Sequence, residues 1–98
     1  MKIAVASDGL SVSSCFSTSS NCNCYTIEDN KIADTQNIPT AQKVKESLPT
    51  LMKDFGISVL LTGNIPEDVY NDFENNGIKV VTGQSGHAIG AVQKYINQ

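Results

Sequence analysis

Ile57-Ser58-Val59-Leu60-Leu61-Thr62, followed by Gly63-Asn64-Ile65-Pro66-Glu67-Asp68, is the stretch on which the fold turns. Six uncharged, mostly apolar residues suit a strand covered on both faces, the usual condition of a parallel sheet. Pro66, Glu67 and Asp68 then signal a helix start, because a fixed φ suits the first turn and acidic side chains complement the positive end of the dipole. Val69, Tyr70 and Phe73 give that helix an apolar side, and Asn76-Gly77 ends it. Ile78 to Thr82 repeats the buried-strand pattern, and Gly83 to Gly86 makes a turn. Ala88, Ala91, Val92, Tyr95 and Ile96 mark a last amphipathic helix.

Upstream of this stretch, Ala41, Val44, Leu48, Leu51, Met52 and Phe55 recur at helical steps. Pro49 is tolerated only near a first turn, so Ser47 is read as capping a helix that runs to Phe55 and stops at Gly56. The second half is thus helix–strand–helix–strand–helix, a parallel α/β arrangement with right-handed crossovers. In the first half, Lys2 to Ser7 reads as a buried strand and Leu10 to Asn23 as a long polar loop. Cys24 to Glu28 alternates as a strand, Asp29-Asn30 turns, and Lys31 to Ile38 returns as a hairpin arm. The expected whole is one domain, residues 1–98. Its mixed five-stranded sheet comprises a first strand, an antiparallel hairpin and a parallel β-α-β-α unit, flanked by helices.

Composition narrows the function. Charged residues are 17% of the chain, whereas Ser, Thr, Asn and Gln supply 31 of 98. The net charge is −3 and there is no arginine, so no basic stripe or bidentate phosphate contact is available; nucleic acid is not expected as a partner. The apolar run after Met1-Lys2 is too short for a membrane span or a signal-peptide core. A cytoplasmic location is therefore expected, with reduced thiols and no membrane partner.

All three cysteines, Cys15, Cys22 and Cys24, lie in the uncharged segment Gly9 to Ile27. Thiolates select soft metals, and three sulfurs fall one short of a closed tetrahedral shell. His87, the single histidine, stands beside the Gly83–Gly86 loop and is the candidate fourth ligand. On spacing alone the cysteines read first as buried or free thiols, then as metal ligands, with a redox disulfide as a third reading. Ligands of open α/β sheets gather at the carboxyl ends of the strands. There the backbones of Gly63, Asn64, Gly83, Ser85 and Gly86 offer amides to an anion, although glycines also serve simply as tight turns. Neither GxGxxG nor GxxxxGK[ST] occurs.

The segments MKIAVASDG, VSSCFSTSSNCNCYTIEDNK, LPTLMKDFGISVLLTGNIP and NNGIKVVTGQSGHAIGAVQKYI resemble the dinitrogenase iron–molybdenum cofactor-binding family over nearly the whole chain. The family includes nitrogenase accessory proteins and small stand-alone relatives from anaerobes. The resemblance implies a ribonuclease H-like three-layer fold without nuclease activity. It also implies binding or delivery of a metal–sulfur cluster: iron–sulfur, iron–molybdenum–sulfur or molybdenum–copper–sulfide. Where the family usually reads His-Phe-Gly-Arg, this chain has Cys15-Phe16-Ser17-Thr18, and the usual Gly-Gly-Ile-Gly is reduced to Gly63-Asn64-Ile65-Pro66.

The expected function is accordingly non-enzymatic binding or delivery of such a cluster or of a thiophilic metal, with Cys15, Cys22, Cys24 and His87 as metal ligands. The partner would be a client metalloenzyme or an assembly protein. The alternatives are a small thiol enzyme, redox or nucleophilic, and a ligand-free regulatory partner.

Overall fold

The computed structural model describes residues 1–97, so Gln98, the last residue of the expected domain, lies outside the described residues. Strands β1 (Lys2–Asp8), β2 (Ser11–Val12), β3 (Asn21–Glu28), β4 (Lys31–Pro39), β5 (Ile57–Leu61) and β6 (Lys79–Val81) alternate with helices α1 (Leu48–Asp54), α2 (Glu67–Asn75) and α3 (Ala88–Ile96). The main path of the sheet is β4-β3-β1-β5-β6, with two-residue β2 pairing only β1. β1 is antiparallel to β3 and parallel to β5, and β5 is parallel to β6. This is the mixed α/β sheet expected from the sequence, extended by β2.

Each face of the sheet has its own core. Ala4, Ala6, Cys22, Cys24 and Leu60 pack with Leu48 and Met52 of α1 and Val69 and Phe73 of α2. Ile3, Val5, Tyr25, Val59 and Leu61 pack with Ala88, Ala91 and Val92 of α3. The two-residue period of the strands produces this division, since neighbouring side chains point to opposite faces. β1 and most of β5 are buried on both sides, which is why their sequences read as unbroken apolar runs.

Two local expectations are corrected and one is made definite. The periodicity from Ala41 does not become helix: residues 41–44 are turn, Lys45–Ser47 is a short 3-10 turn, and α1 starts at Leu48 with Pro49 in its first turn. Ala41 and Val44 are exposed, so their apolar spacing buries nothing. The Asp29-Asn30 turn places both residues at positive φ, 53° and 61°, the conformation of a type I′ hairpin made without glycine. The long loop is also shorter than read. It contains β2 and a 3-10 turn at Phe16–Thr18, and β3 begins at Asn21. Cys22 and Cys24 therefore belong to a strand.

The remaining loop is a strap across the carboxyl ends of β1 and β5. Ser13 donates its amide to Ala6, and the amides of Gly63 and Asn64 donate to Ser13 and Ser14 at 3.2 and 2.8 Å. Phe16 anchors the far end by an edge-to-face contact with Phe73, the ring centroids 5.5 Å apart. A Cβ on Gly63 would stand 2.5 Å from the Ser14 carbonyl oxygen and 2.6 Å from that of Ser13. Gly90, inside α3, has nothing within 4 Å of the same position. Gly63→Ala should therefore destabilise the protein by about 1–3 kcal/mol through overpacking. Gly90→Ala should stabilise it by about 0.5–1 kcal/mol through helix propensity. Urea unfolding of the two variants measures both, and equal effects would contradict the strap contact.

Candidate functional site

The strap decides which of the expected binding groups are free. Gly63 and Asn64 spend their amides on Ser13 and Ser14, and Gly83 donates to the Gly63 carbonyl at 3.3 Å. These three backbones, expected to cradle an anion, hold the loops to one another instead. Ser85 and Gly86 differ: their amides have no acceptor among the described residues, while the Gly86 carbonyl accepts from Val12 at 2.8 Å.

Cys15 sits half-buried in the strap in a bridge with Asn64, and its carbonyl accepts from the Ser13 hydroxyl at 2.9 Å. His87 bridges Ser11 at the other end of the strap and stands at the N-cap position of α3, its side chain making no capping hydrogen bond. Asp8 accepts from the Ser20 amide at 3.1 Å, as a turn-capping carboxylate does.

Cys22 and Cys24 pair with Ala6 and Ala4 across β1–β3 and point into the α1–α2 core. Both carry free thiols. Burial pushes the Cys22 thiol up to about 12, with Cys24 adding to the rise and Lys45 opposing it. Burial likewise pushes Cys24 up to about 11 against the pull of Lys2.

The expected shell of Cys15, Cys22, Cys24 and His87 is therefore not assembled. Cys22 and Cys24 face α1 and α2, whereas His87 lines a cavity with Asn23 and Tyr25, which point to the opposite face of β3. Among the described residues no group of three or more His, Cys, Asp or Glu side chains is placed to hold a metal ion. Sequence spacing could not show this, because the sheet itself lies between the ligands.

The structure adds a site around His87 instead. A cavity of about 410 Å³ is lined by Leu10, Asn23, Tyr25, Asn37, His87 and Ile89. A second, of about 250 Å³, is lined by Gln84, Ser85, His87, Gly90 and Lys94. His87 belongs to both. The larger falls within the size of small-ligand pockets, whereas a third cavity, beside Cys24, holds only about 50 Å³. Asn23 is fixed in its place by donating to the Ser7 hydroxyl and the Gly9 carbonyl at 3.1 and 2.9 Å. Burial, and then Cys24, raises the Tyr25 phenol above its ordinary value. Asn23, Asn37 and Tyr25 carried no recognisable motif. For Asn23 and Tyr25 the available signal was their alternation with Cys22 and Cys24, which puts them on the His87 face, and Asn37 joins them by pairing with Asn23 across β3–β4.

Comparisons with known proteins agree with this architecture. The family model described as "Dinitrogenase iron-molybdenum cofactor" matches residues 1–98. Among curated proteins none matches by sequence. The crystal structure of a protein designated PH0822 superposes with a TM-score of 0.91 at 25% identity, covering 99% of this chain and 89% of that one. The apo form of the orange protein from Desulfovibrio gigas superposes with a TM-score of 0.80 at 21% identity, covering 98% and 87%. No helix among the described residues is long and apolar enough to cross a membrane.

The thiols give a pH dependence whose sign is set by burial. Both folded-state values lie above the ordinary 9.0, so the folded chain keeps two protons that the unfolded chain loses above that pH. Their stabilising contribution is whole below about pH 9 and is lost as pH rises from 9 towards 12. Thermal melts from pH 8 to 11 should show a fall in Tm that Cys22→Ala/Cys24→Ala flattens. At pH 8 an alkylating reagent should label Cys15 alone in the folded protein and all three cysteines in urea. Rapid labelling of Cys22 in the folded state would contradict its burial.

Proposed function

Since the chain belongs to the dinitrogenase iron–molybdenum cofactor family, we propose that it binds a metal–sulfur cluster as cargo and delivers it to a client metalloenzyme or assembly protein, without itself catalysing a reaction. The observation that carries this reading is His87, whose side chain borders two adjoining cavities of about 410 and 250 Å³. An imidazole is a suitable ligand for iron or copper. Metal–sulfur clusters are commonly anionic, and three features here suit an anion: the unpartnered amides of Ser85 and Gly86, the start of α3, and Lys94 on the cavity wall. Leu10 and Ile89 are exposed apolar side chains on the rim, where they would exclude water from a bound cluster. The residues present therefore fit such a cargo by size, donor type and charge.

In this reading His87 supplies the ligating nitrogen, Ser85 and Gly86 donate hydrogen bonds to cluster sulfur, and Asn23 and Tyr25 shape the floor. Cys15, in the strap, lies outside both cavities' walls. The purely thiol-based shell has no comparable space, since only about 50 Å³ is open beside Cys24. A single surface ligand with backbone donors also suits delivery, because a cargo held by one coordinate bond can be passed to a site with more.

Anaerobic incubation with tetrathiomolybdate and copper(I), or with iron and sulfide, followed by desalting, tests the proposal through visible absorption and elemental analysis. The wild-type protein should retain colour with molybdenum or iron in fixed ratio. His87→Ala should lower retention at least tenfold, in keeping with losses of about 10–100-fold seen when metal sites are perturbed. Cys22→Ala/Cys24→Ala should leave the colour and the retained molybdenum or iron unchanged. A wild-type protein that emerges colourless, or a His87→Ala variant that retains cluster fully, would overturn the reading.

A further inference from the structure

The thiol pair that the cluster reading leaves unused has a geometry of its own. Cys22 and Cys24 occupy alternate positions of β3 and share one face, in register with Ala6 and Ala4 of β1. Their small partners leave the space above the strand to sulfur. Residues two apart on a strand have Cβ atoms about 6.5–7 Å from each other on parallel bonds. A disulfide needs about 3.5–4.5 Å between Cβ atoms, so this pair is not placed to close one. Two sulfurs bridged by a single ion stand about 4.6 Å apart, twice a metal–thiolate bond of about 2.3 Å. Thiols leaning towards each other from parallel Cβ bonds reach that separation.

The surroundings are unusual for plain core. Neither thiol has a hydrogen-bond partner among the described residues, and Cys22 is fully buried. Each feels the charge of a lysine from a different element: Lys45 acts on Cys22, and Lys2, which shares a cavity wall with Cys24, acts on Cys24. The Lys45 ammonium is held in place by the carbonyls of Ser19 and Thr40 at 3.1 and 3.3 Å. Lys2 is held by the Phe55 carbonyl at 3.2 Å. Thr40, whose carbonyl anchors Lys45, keeps a buried hydroxyl with no partner. Cys24 also lines a cavity of about 50 Å³ together with Lys2, Asp34, Gln36 and Ile38, which is room for an ion and an approach to the pair. Met52 adds a third buried sulfur to the same layer.

We propose that Cys22 and Cys24 form a two-coordinate site for a soft monovalent cation, copper(I) or its mimic silver(I), between β3 and α1. The donor set selects the ion. Among the described residues no third His, Cys, Asp or Glu is placed to join the two thiols as a metal ligand, so they do not complete the tetrahedral shell that zinc prefers, whereas they satisfy a cation content with two sulfurs. Charge agrees: two thiolates around a singly charged ion leave one negative charge, set between Lys2 and Lys45. Binding breaks two S–H bonds and forms two S–metal bonds. Both protons leave to solvent, and the metal stays in the +1 state throughout. The site is independent of the cluster reading, since it uses neither His87 nor the larger cavities.

Anaerobic titration of the full chain with silver(I), and with copper(I) in competition with a chromogenic chelator, tests the site. One ion should bind per chain with release of two protons in weakly buffered solution. X-ray absorption should report a sulfur-only shell of two neighbours, or three if Met52 joins. Cys22→Ala/Cys24→Ala, which keeps the core apolar and is checked for folding by circular dichroism, should weaken binding at least a hundredfold. Cys15→Ser and His87→Ala should leave it within twofold. Tight binding that survives the double alanine variant, or that is lost in Cys15→Ser, would overturn the site, as would a wild-type chain that fails to compete for the ion.

Discussion

Gly63 can meet the carbonyls of Ser13 and Ser14 because it lacks a Cβ, and much of the molecule's chemistry follows from that contact. It lets the strap lie flat across the carboxyl ends of β1 and β5, where an open α/β sheet ordinarily presents its backbone to a ligand. The amides of Gly63, Asn64 and Gly83 are consumed in holding loop to loop. Buried amides must find acceptors, so a strap that supplies them also closes the crevice it covers. What stays free is displaced towards the start of α3, where the Ser85–Gly86 turn and His87 emerge beyond the strap's edge.

The sheet then divides the metal-capable residues into two populations. Cys22 and Cys24 alternate with Asn23 and Tyr25 along β3, so thiols enter one layer and uncharged polar groups the other. On the α1–α2 side the space is small and bordered by Lys2 and Asp34. On the α3 side it is roomier, lined by polar groups and rimmed by Leu10 and Ile89. These environments suit different guests, a single soft cation in one and a larger anionic assembly in the other. A single four-ligand site would have required side chains to meet through the sheet.

Much of this was legible in the residues. The run Ile57–Thr62 identified β5 because a strand buried on both faces has no polar alternation to obscure it, and β6, an edge strand with Lys79 exposed, was legible from the apolar residues Ile78, Val80 and Val81 around that lysine. The polar floor of the His87 cavity was legible only in part, since alternation places Asn23 and Tyr25 on one face but Asn37 joins them only when β3 and β4 are paired in register. Apolar spacing also misled once, at Ala41 and Val44. Periodicity reports which residues could share a helical face, while burial depends on whether another element arrives to cover them.

The amino-acid sequence by itself determined the element order, the parallel second half, the clustering of the thiols, and membership of the dinitrogenase iron–molybdenum cofactor family. Those properties depend on local periodicity, turn chemistry and composition, which act over a few residues. Tertiary structure alone decided that the strap takes the amides of Gly63, Asn64 and Gly83, and that Cys15 and His87 stand at its two ends. It also decided that Cys22 and Cys24 face away from His87. These outcomes depend on strand register and on the close approach of segments some fifty residues apart, from Ser13 to Gly63. No spacing along the chain encodes which face of a sheet a distant helix will cover.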